Sequence, residues 1–301
     1  TLRRSSAASD VYKRQVTGID IAEDISQSLK KKAIAILVND EGKDLLDPID
    51  QDSNVSIITI QDEIGLDIMR HTLAAQVLAK AVKNLYPSSK LAIGPTIENG
   101  FYYDILFEKP ISSEDLPAIE EEMKKIIKTG SNIEKSLKSK NEAISLFDKL
   151  SEPYKSKIIK DSDQNSAFQI YHQENTDFYD LCRGPHLPNL KHIGAFKLTK
   201  LAGAYWKGDS NNEMLQRIYG TAWRDEKELN QYLKLIAEAE KRDHRRIGKE
   251  LDLFHFQEDA PGAVFWHQNG WIIFNKLIDY MRTTVSYTHL SPRDPTKSRM
   301  P

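Results

Sequence analysis

The single cysteine of the chain lies in the run Tyr179-Asp180-Leu181-Cys182-Arg183-Gly184-Pro185-His186. Cys182 and His186 bracket Arg183-Gly184-Pro185, which cannot be regular helix because proline lacks the N–H and glycine favours turns. A thiol and an imidazole can therefore converge from one tight loop. Asp180 lies two residues earlier, and on an extended segment it shares a face with Cys182. The loop thus concentrates a carboxylate, a thiol, an imidazole and a guanidinium. As a metal site, Cys182 and His186 are weak candidates on their own, because a lone cysteine beside a histidine is more often packing than a ligand. Two further ligands would be needed, and His71 is the natural candidate for one.

The elements that must position these groups follow from periodicity. Ala33 to Val38 and Val55 to Ile60 are β-branched runs separated by the turn signal Asn39-Asp40-Glu41-Gly42. Ile25, Leu29 and the lysines after it predict one helix before them. Leu66, Met69, Leu73, Val77, Ala81 and Leu85 step by three and four, which predicts a long helix ended by Pro87. On that helix the Met69/Leu73 stripe faces the core and His71 projects from another face. Residues 91–107 read as a hairpin about Glu98-Asn99-Gly100, 114–140 as a solvated helix and strand, and 167–173 and 195–205 as strands around the cysteine loop. Residues 225–250 read as one long helix, with Asp225 and Glu228 at capping-box spacing.

The bulk composition narrows the function classes. Lys plus Arg is 42 against 44 Asp plus Glu, a formal net charge of −2, so any RNA contact must rest on local patches. One cysteine excludes an internal disulfide framework and fits a reducing cytosol. The longest apolar run, Ala33 to Val38, is far short of the ~20 residues that span a bilayer. There is no G-x-x-x-x-G-K-[ST], no G-x-G-x-x-G and no C-x-x-C. The expectation is a cytoplasmic protein with no membrane partner. Residues 1–15 and 286–301 carry no strand or helix period and read as disordered ends or as sequence foreign to the body of the chain.

Several stretches together resemble bacterial threonyl-tRNA synthetase. They are Ala92-Ile93-Gly94-Pro95 with Glu98-Asn99-Gly100-Phe101-Tyr102-Tyr103-Asp104, Cys182-Arg183-Gly184-Pro185-His186, Gly203-Ala204-Tyr205-Trp206-Lys207-Gly208-Asp209, Leu215-Gln216-Arg217-Ile218-Tyr219-Gly220 and Lys241-Arg242-Asp243-His244-Arg245-Arg246. The likeness runs in order from about residue 16 to 284. It implies an α+β fold: a small ubiquitin-like β-grasp (TGS) domain over 16–61, an editing domain over 62–224, a linker helix over 225–245 and the beginning of a class II catalytic core over 246–285. It also implies a threonine–tRNA ligase whose ATP, Mg2+ and Zn2+ serve parts of the family's sequence not found here, with tRNA-Thr, threonine and ATP as partners. The whole enzyme would be a homodimer and this chain alone a monomer.

By the same resemblance the editing domain hydrolyses mischarged seryl-tRNA, using a His-x-x-x-His helix, the Cys-x-x-x-His loop, an Asp and a Lys. Carried over, Cys182 and His186 orient the water, Asp180 holds the substrate amine and Lys155 stabilises developing charge. Tyr103 and Arg183 join the pocket. The helix departs from the pattern. Aligned from Val77-Leu78-Ala79, Gln76 takes the place of the second histidine and Thr72 that of the first, leaving His71 one residue out of step. On a regular helix positions 71 and 76 lie ~140° apart, so both cannot face one pocket. Gln76 would then contact substrate or water in place of a base. Two other readings compete: a free-standing deacylase acting in trans, and a non-catalytic tRNA-binding module whose cations Lys191, Lys197, Lys200, Lys207 and Arg217 only hold the acceptor stem.

Overall fold

Ala33–Val38 is aliphatic at every position and buried at all but Leu37, as the middle strand of a sheet must be. In the computed structural model, which describes residues 16–164 and 166–288, it pairs antiparallel with Glu41–Asp44 on one side and Val55–Thr59 on the other. The tight turn between the first two uses Asn39 and Asp40 at φ 50 and 67, the left-handed pair that a two-residue hairpin needs. Two helices, not one, precede this sheet. Ser26 is extended between Gly18–Ile25 and Gln27–Lys32, and its hydroxyl accepts the Leu29 N–H at 3.1 Å.

The apolar stripe from Leu66 to Val82 forms its long helix, but in three parts: α over Glu63–Thr72, π over Leu73–Leu78 and α again over Ala79–Leu85. The Ala79 N–H donates to the Ala74 carbonyl, five residues back. A π turn holds one residue more than an α turn. The stripe therefore stays buried on both sides of it while the residues between change phase. This helix lies on a five-stranded sheet whose strands run in the order Ala195–Tyr205, Met214–Trp223, Gly100–Leu106, Lys90–Leu91, with Thr96–Ile97 also paired to Gly100–Leu106. Leu73, Val77, Phe101, Tyr103, Ile105 and Ile218 share its core, which continues without a break into Ile34, Ala35 and Ile58 of the first sheet. A second sheet, Tyr179–Leu181, Phe168–Gln173 and Ile133–Lys138, carries the cysteine loop at its edge.

The chain divides into a unit ending at Asn230 and a second beginning at Gln231, with the boundary inside the helix Glu226–Lys241. That helix is shorter than its charge pattern predicts. It stops before Asp243, whose carboxylate accepts the Arg245 N–H at 2.8 Å and caps a separate helix, His244–Glu250. A further helix, Gln268–Thr288, runs past residue 285, where the sequence pattern ended. Residues 1–15 and 289–301 lie outside the described residues. No helix among the described residues is long and apolar enough to cross a membrane.

Candidate active site

Two segments more than a hundred residues apart meet at one cleft. The long helix brings His71 and the loop after Tyr179–Leu181 brings Cys182 to its lining; Thr72 and His186 are buried behind them, and His186, expected to orient the water, borders a separate cavity instead. His71 Nε2 lies 2.6 Å from Cys182 Sγ, and the two histidine rings stack at 4.6 Å between centroids. One ligating atom from each of His71, Cys182 and His186 falls within 4.8 Å of the other two. The loop closes because Gly184 takes φ +66, and its N–H donates to the Cys182 sulfur at 3.2 Å.

His71 is thus in the site, which corrects the expectation that it stands out of step. Gln76 is the residue that does not belong. Its side chain is fully buried, and neither amide atom has a partner. The cleft instead takes Ala75 beside His71. The physical reason is the π turn: reading the phase back from Val77-Leu78-Ala79 crosses it and slips by one residue. The two conflicting alignments of the helix were themselves the signal of that turn. With the turn in place, the position four residues after His71 is an alanine and carries no second base.

Thr72 settles the protonation of its neighbour. Its hydroxyl donates to the Ile68 carbonyl at 2.8 Å, which uses its only proton. It accepts the Leu187 N–H at 3.0 Å, and it sits 3.1 Å from His186 Nδ1. His186 Nδ1 must therefore be the donor, and Nε2 keeps a free lone pair. That Nε2 is buried and without a partner. Burial holds the His71 imidazole below its usual pKa, and burial together with His71 holds His186 well below. Burial also pushes the Cys182 thiol up to about 12. At neutral pH the cluster is a protonated thiol and two neutral imidazoles, and of the two imidazoles only His71 lines the cleft where a proton could be taken from water.

The facing wall is charged. Lys155, from the helix Pro153–Lys160, forms an ion pair with Asp180 and donates to Tyr103 Oη at 2.8 Å. Tyr103 in turn donates to Asp180 at 3.0 Å, and the Leu181 N–H donates to the same carboxylate at 2.8 Å. The side chains of Lys155 and Asp180 are only 4% and 2% exposed, so the pair works in a medium that screens it poorly. Burial and the Asp180 charge raise the Tyr103 phenol well above its ordinary value, and it stays a donor. Asp180 already accepts from three donors, two on one oxygen and one on the other, so its charge is engaged first by Lys155 and a substrate amine would share it.

The cleft holds about 700 Å³, with Ala75, Ile93 and Pro95 as apolar lining and exposed Arg183 at its edge. That is room for an aminoacylated nucleoside. None of Lys191, Lys197, Lys200, Lys207 and Arg217 lines it. Lys197 pairs with Glu120, Lys207 with Asp161 and Arg217 with Asp104, while Lys200 lies over the Tyr219 ring, so four of these five cations already have partners within the chain.

As a metal site, two imidazoles and a thiol suit Zn2+ or another borderline-soft ion. Three protein donors are one short of a closed, four-ligand structural site. The three donors would leave open positions on any ion they held.

Comparison with known proteins adds the following. Residues 5–59 match the family profile of the TGS domain, and residues 169–219 match that of the threonyl and alanyl tRNA synthetase second additional domain. The chain is 52% identical over 272 residues to a threonine–tRNA ligase of Rhodospirillum rubrum, covering 90% of this chain and 42% of that protein. It is 49% identical over 276 residues to one of Prochlorococcus marinus, covering 91% and 43%. With one of Pelagibacter ubique it shares 50% identity over 272 residues, covering 90% and 42%. The chain therefore spans about two fifths of the length of the curated relatives it matches.

Proposed function

We propose that this chain, a member of the threonine–tRNA ligase family by sequence, carries the hydrolytic site that removes serine from mischarged tRNA-Thr. The observation that carries the reading is the pairing of His71 with Cys182 in a cleft large enough for an aminoacylated nucleoside, whose lining also holds the Lys155–Asp180 ion pair, with His186 and Tyr103 buried behind those groups. The need for such a site is physical. A pocket rejects a side chain one methyl too small by only ~1–3 kcal/mol, so serine that slips through must be removed afterwards.

In the proposed reaction a water sits between His71 and the ester carbonyl. Neutral His71, hydrogen-bonded to Cys182, takes the water's proton as the oxygen–carbon bond forms. Lys155 stabilises the oxyanion, and Asp180 with Tyr103 holds Lys155 in place. The tetrahedral adduct expels the ribose oxygen, which recovers the proton from the imidazolium. Free serine and a tRNA 3′-terminal hydroxyl are released. Arg183 at the cleft edge suits a phosphate of the acceptor end.

The domain order expected from the sequence is retained as part of the proposal. So is the whole enzyme's work: ATP-dependent joining of threonine to tRNA-Thr by a cytoplasmic homodimer, with Mg2+ and Zn2+. The deciding experiment follows seryl-tRNA hydrolysis by the full chain, with threonyl-tRNA as control. Serine-selective release that falls about 100-fold or more in Cys182→Ala and His71→Ala is expected. Binding of tRNA without release would refute the reading, leaving Ala75 as the mark of a site that has lost its chemistry.

A further inference from the structure

The carboxylate of Asp44 reaches the loop that holds His186 although it belongs to the other sheet. It ends the strand Glu41–Asp44, which the Asn39-Asp40 turn folds back along Ala33–Val38. One of its oxygens accepts the backbone N–H of His186 at 2.8 Å. The other accepts the Tyr171 hydroxyl at 2.6 Å and pairs with Lys135 at 2.8 Å. Asp47 joins the same cluster, accepting the Asp44 N–H at 3.1 Å and pairing with Lys135.

These bonds bear on the reacting groups through the rings. Tyr171 stands edge-on to His186, with centroids 4.3 Å apart, and His186 stacks on His71. The Tyr171 hydroxyl also lies so close to Gly184 that an added Cβ would come within 2.0 Å of it. The loop is thus held on its far side by Tyr171 and at its backbone by Asp44. Asp44 itself is absent from the lining of the cleft. It borders a separate cavity of about 600 Å³ on the other side of His186.

We propose that Asp44 is a positioning residue for the hydrolytic site, contributed by the N-terminal β-grasp module, and that it sets the angle of His186 and Cys182 by bonding the His186 N–H and Tyr171. The catalytic part rests on the functional reading above; the structural part does not. Loss of both acceptors frees a loop whose thiol must stay within hydrogen-bond reach of His71. A misplacement of about 1 Å in such a site costs about 100-fold in rate.

The test uses the full chain and two variants, Asp44→Ala and Asp44→Asn. Asparagine can still accept from the His186 N–H but cannot accept from Tyr171 as well. Two readouts are taken: seryl-tRNA hydrolysis, with maximal rate and half-saturating concentration determined separately, and alkylation of Cys182 by iodoacetamide at one fixed pH. Cys182 is the only cysteine in the chain, so the second readout is unambiguous and independent of catalysis.

In Asp44→Ala the maximal rate should fall about 100-fold with half-saturation nearly unchanged, and alkylation should accelerate. Asp44→Asn should recover most of the rate and fall between the two in alkylation. Wild-type alkylation in folded Asp44→Ala overturns the proposal, as does a loss confined to half-saturation. If Asp44→Ala does not fold, Asp44→Asn decides: faster alkylation than wild type supports the proposal and equal alkylation refutes it. If the wild-type chain releases no serine, the functional reading fails, and the alkylation comparison still decides whether Asp44 holds the loop.

Discussion

Replacing Lys155 by methionine should destabilise the N-terminal unit far more than the loss of a surface lysine would. The Lys155 and Asp180 side chains are 4% and 2% exposed, and the ammonium has the carboxylate and Tyr103 Oη as its partners. Two unit charges about 4 Å apart attract by about 4 kcal/mol at an effective dielectric near 20. Methionine fills a similar volume but leaves Asp180 buried with only the Tyr103 hydroxyl and the Leu181 N–H as donors. Removing one partner of a buried pair costs about 3–5 kcal/mol, chiefly from the stranded charge. For a unit of this size that corresponds to a melting temperature lower by about 6–20 °C. Asp180→Asn should cost a similar amount, because it strands the ammonium instead. The double variant strands nothing and should cost little more than either single one, a coupling of about 2–3 kcal/mol. Urea denaturation of the intact chain, with calorimetry on the same samples, measures all three. A Lys155→Met loss below about 1 kcal/mol, the range of exposed pairs, would refute the reasoning, as would strict additivity.

Thr72→Val should cost about 1–3 kcal/mol for each donor it orphans, His186 Nδ1–H and Leu187 N–H, while Thr72→Ser should stay near wild type; urea denaturation distinguishes them. Stability should also fall in acid. His71 and His186 have folded pKa values below their unfolded ones, so their contribution is present above about pH 6.5 and is lost as pH drops through the folded values. Unfolding free energy measured from pH 7 to 5 should decline, and His186→Gln should flatten the decline; a flat wild-type profile would contradict the neutral, buried imidazoles. At the alkaline end Cys182 has the opposite sign: its raised folded value means stability is present below the unfolded thiol pKa and lost as pH rises past about 8.5. Cys182→Ser should remove that part of the alkaline loss in the same titration.

Much of the site was legible in order of residues alone. The Gly-Pro turn brings Cys182 and His186 into one loop because both residues restrict the local backbone, and that restriction is written in the sequence. The β-branched runs, the apolar stripe of the long helix and the turn at Glu98-Asn99-Gly100 are likewise local preferences, and each produced the element expected of it. Asp180 follows from its spacing to Cys182, whereas Lys155 and Tyr103 follow only from the resemblance to a family. The structure groups them in one ion-paired wall.

What the residue order left undecided depended on distance or on phase. The pairing of His71 with Cys182 joins positions 111 residues apart, and no spacing rule reaches that far. Tyr171 and Asp44 were overlooked because a tyrosine on a strand and an aspartate at a hairpin end carry no chemical signal until a third segment packs on them. Alignment from Val77-Leu78-Ala79 puts Gln76 in the cleft, and a uniform helical period then turns His71 away from it. A single π turn, Leu73–Leu78, keeps the apolar stripe buried on both sides, and it delivers His71 and Ala75, not Gln76, to the cleft. Residue order determines local backbone preference; which side chains meet is decided by burial of the shared core, and that exists only once the chain has folded.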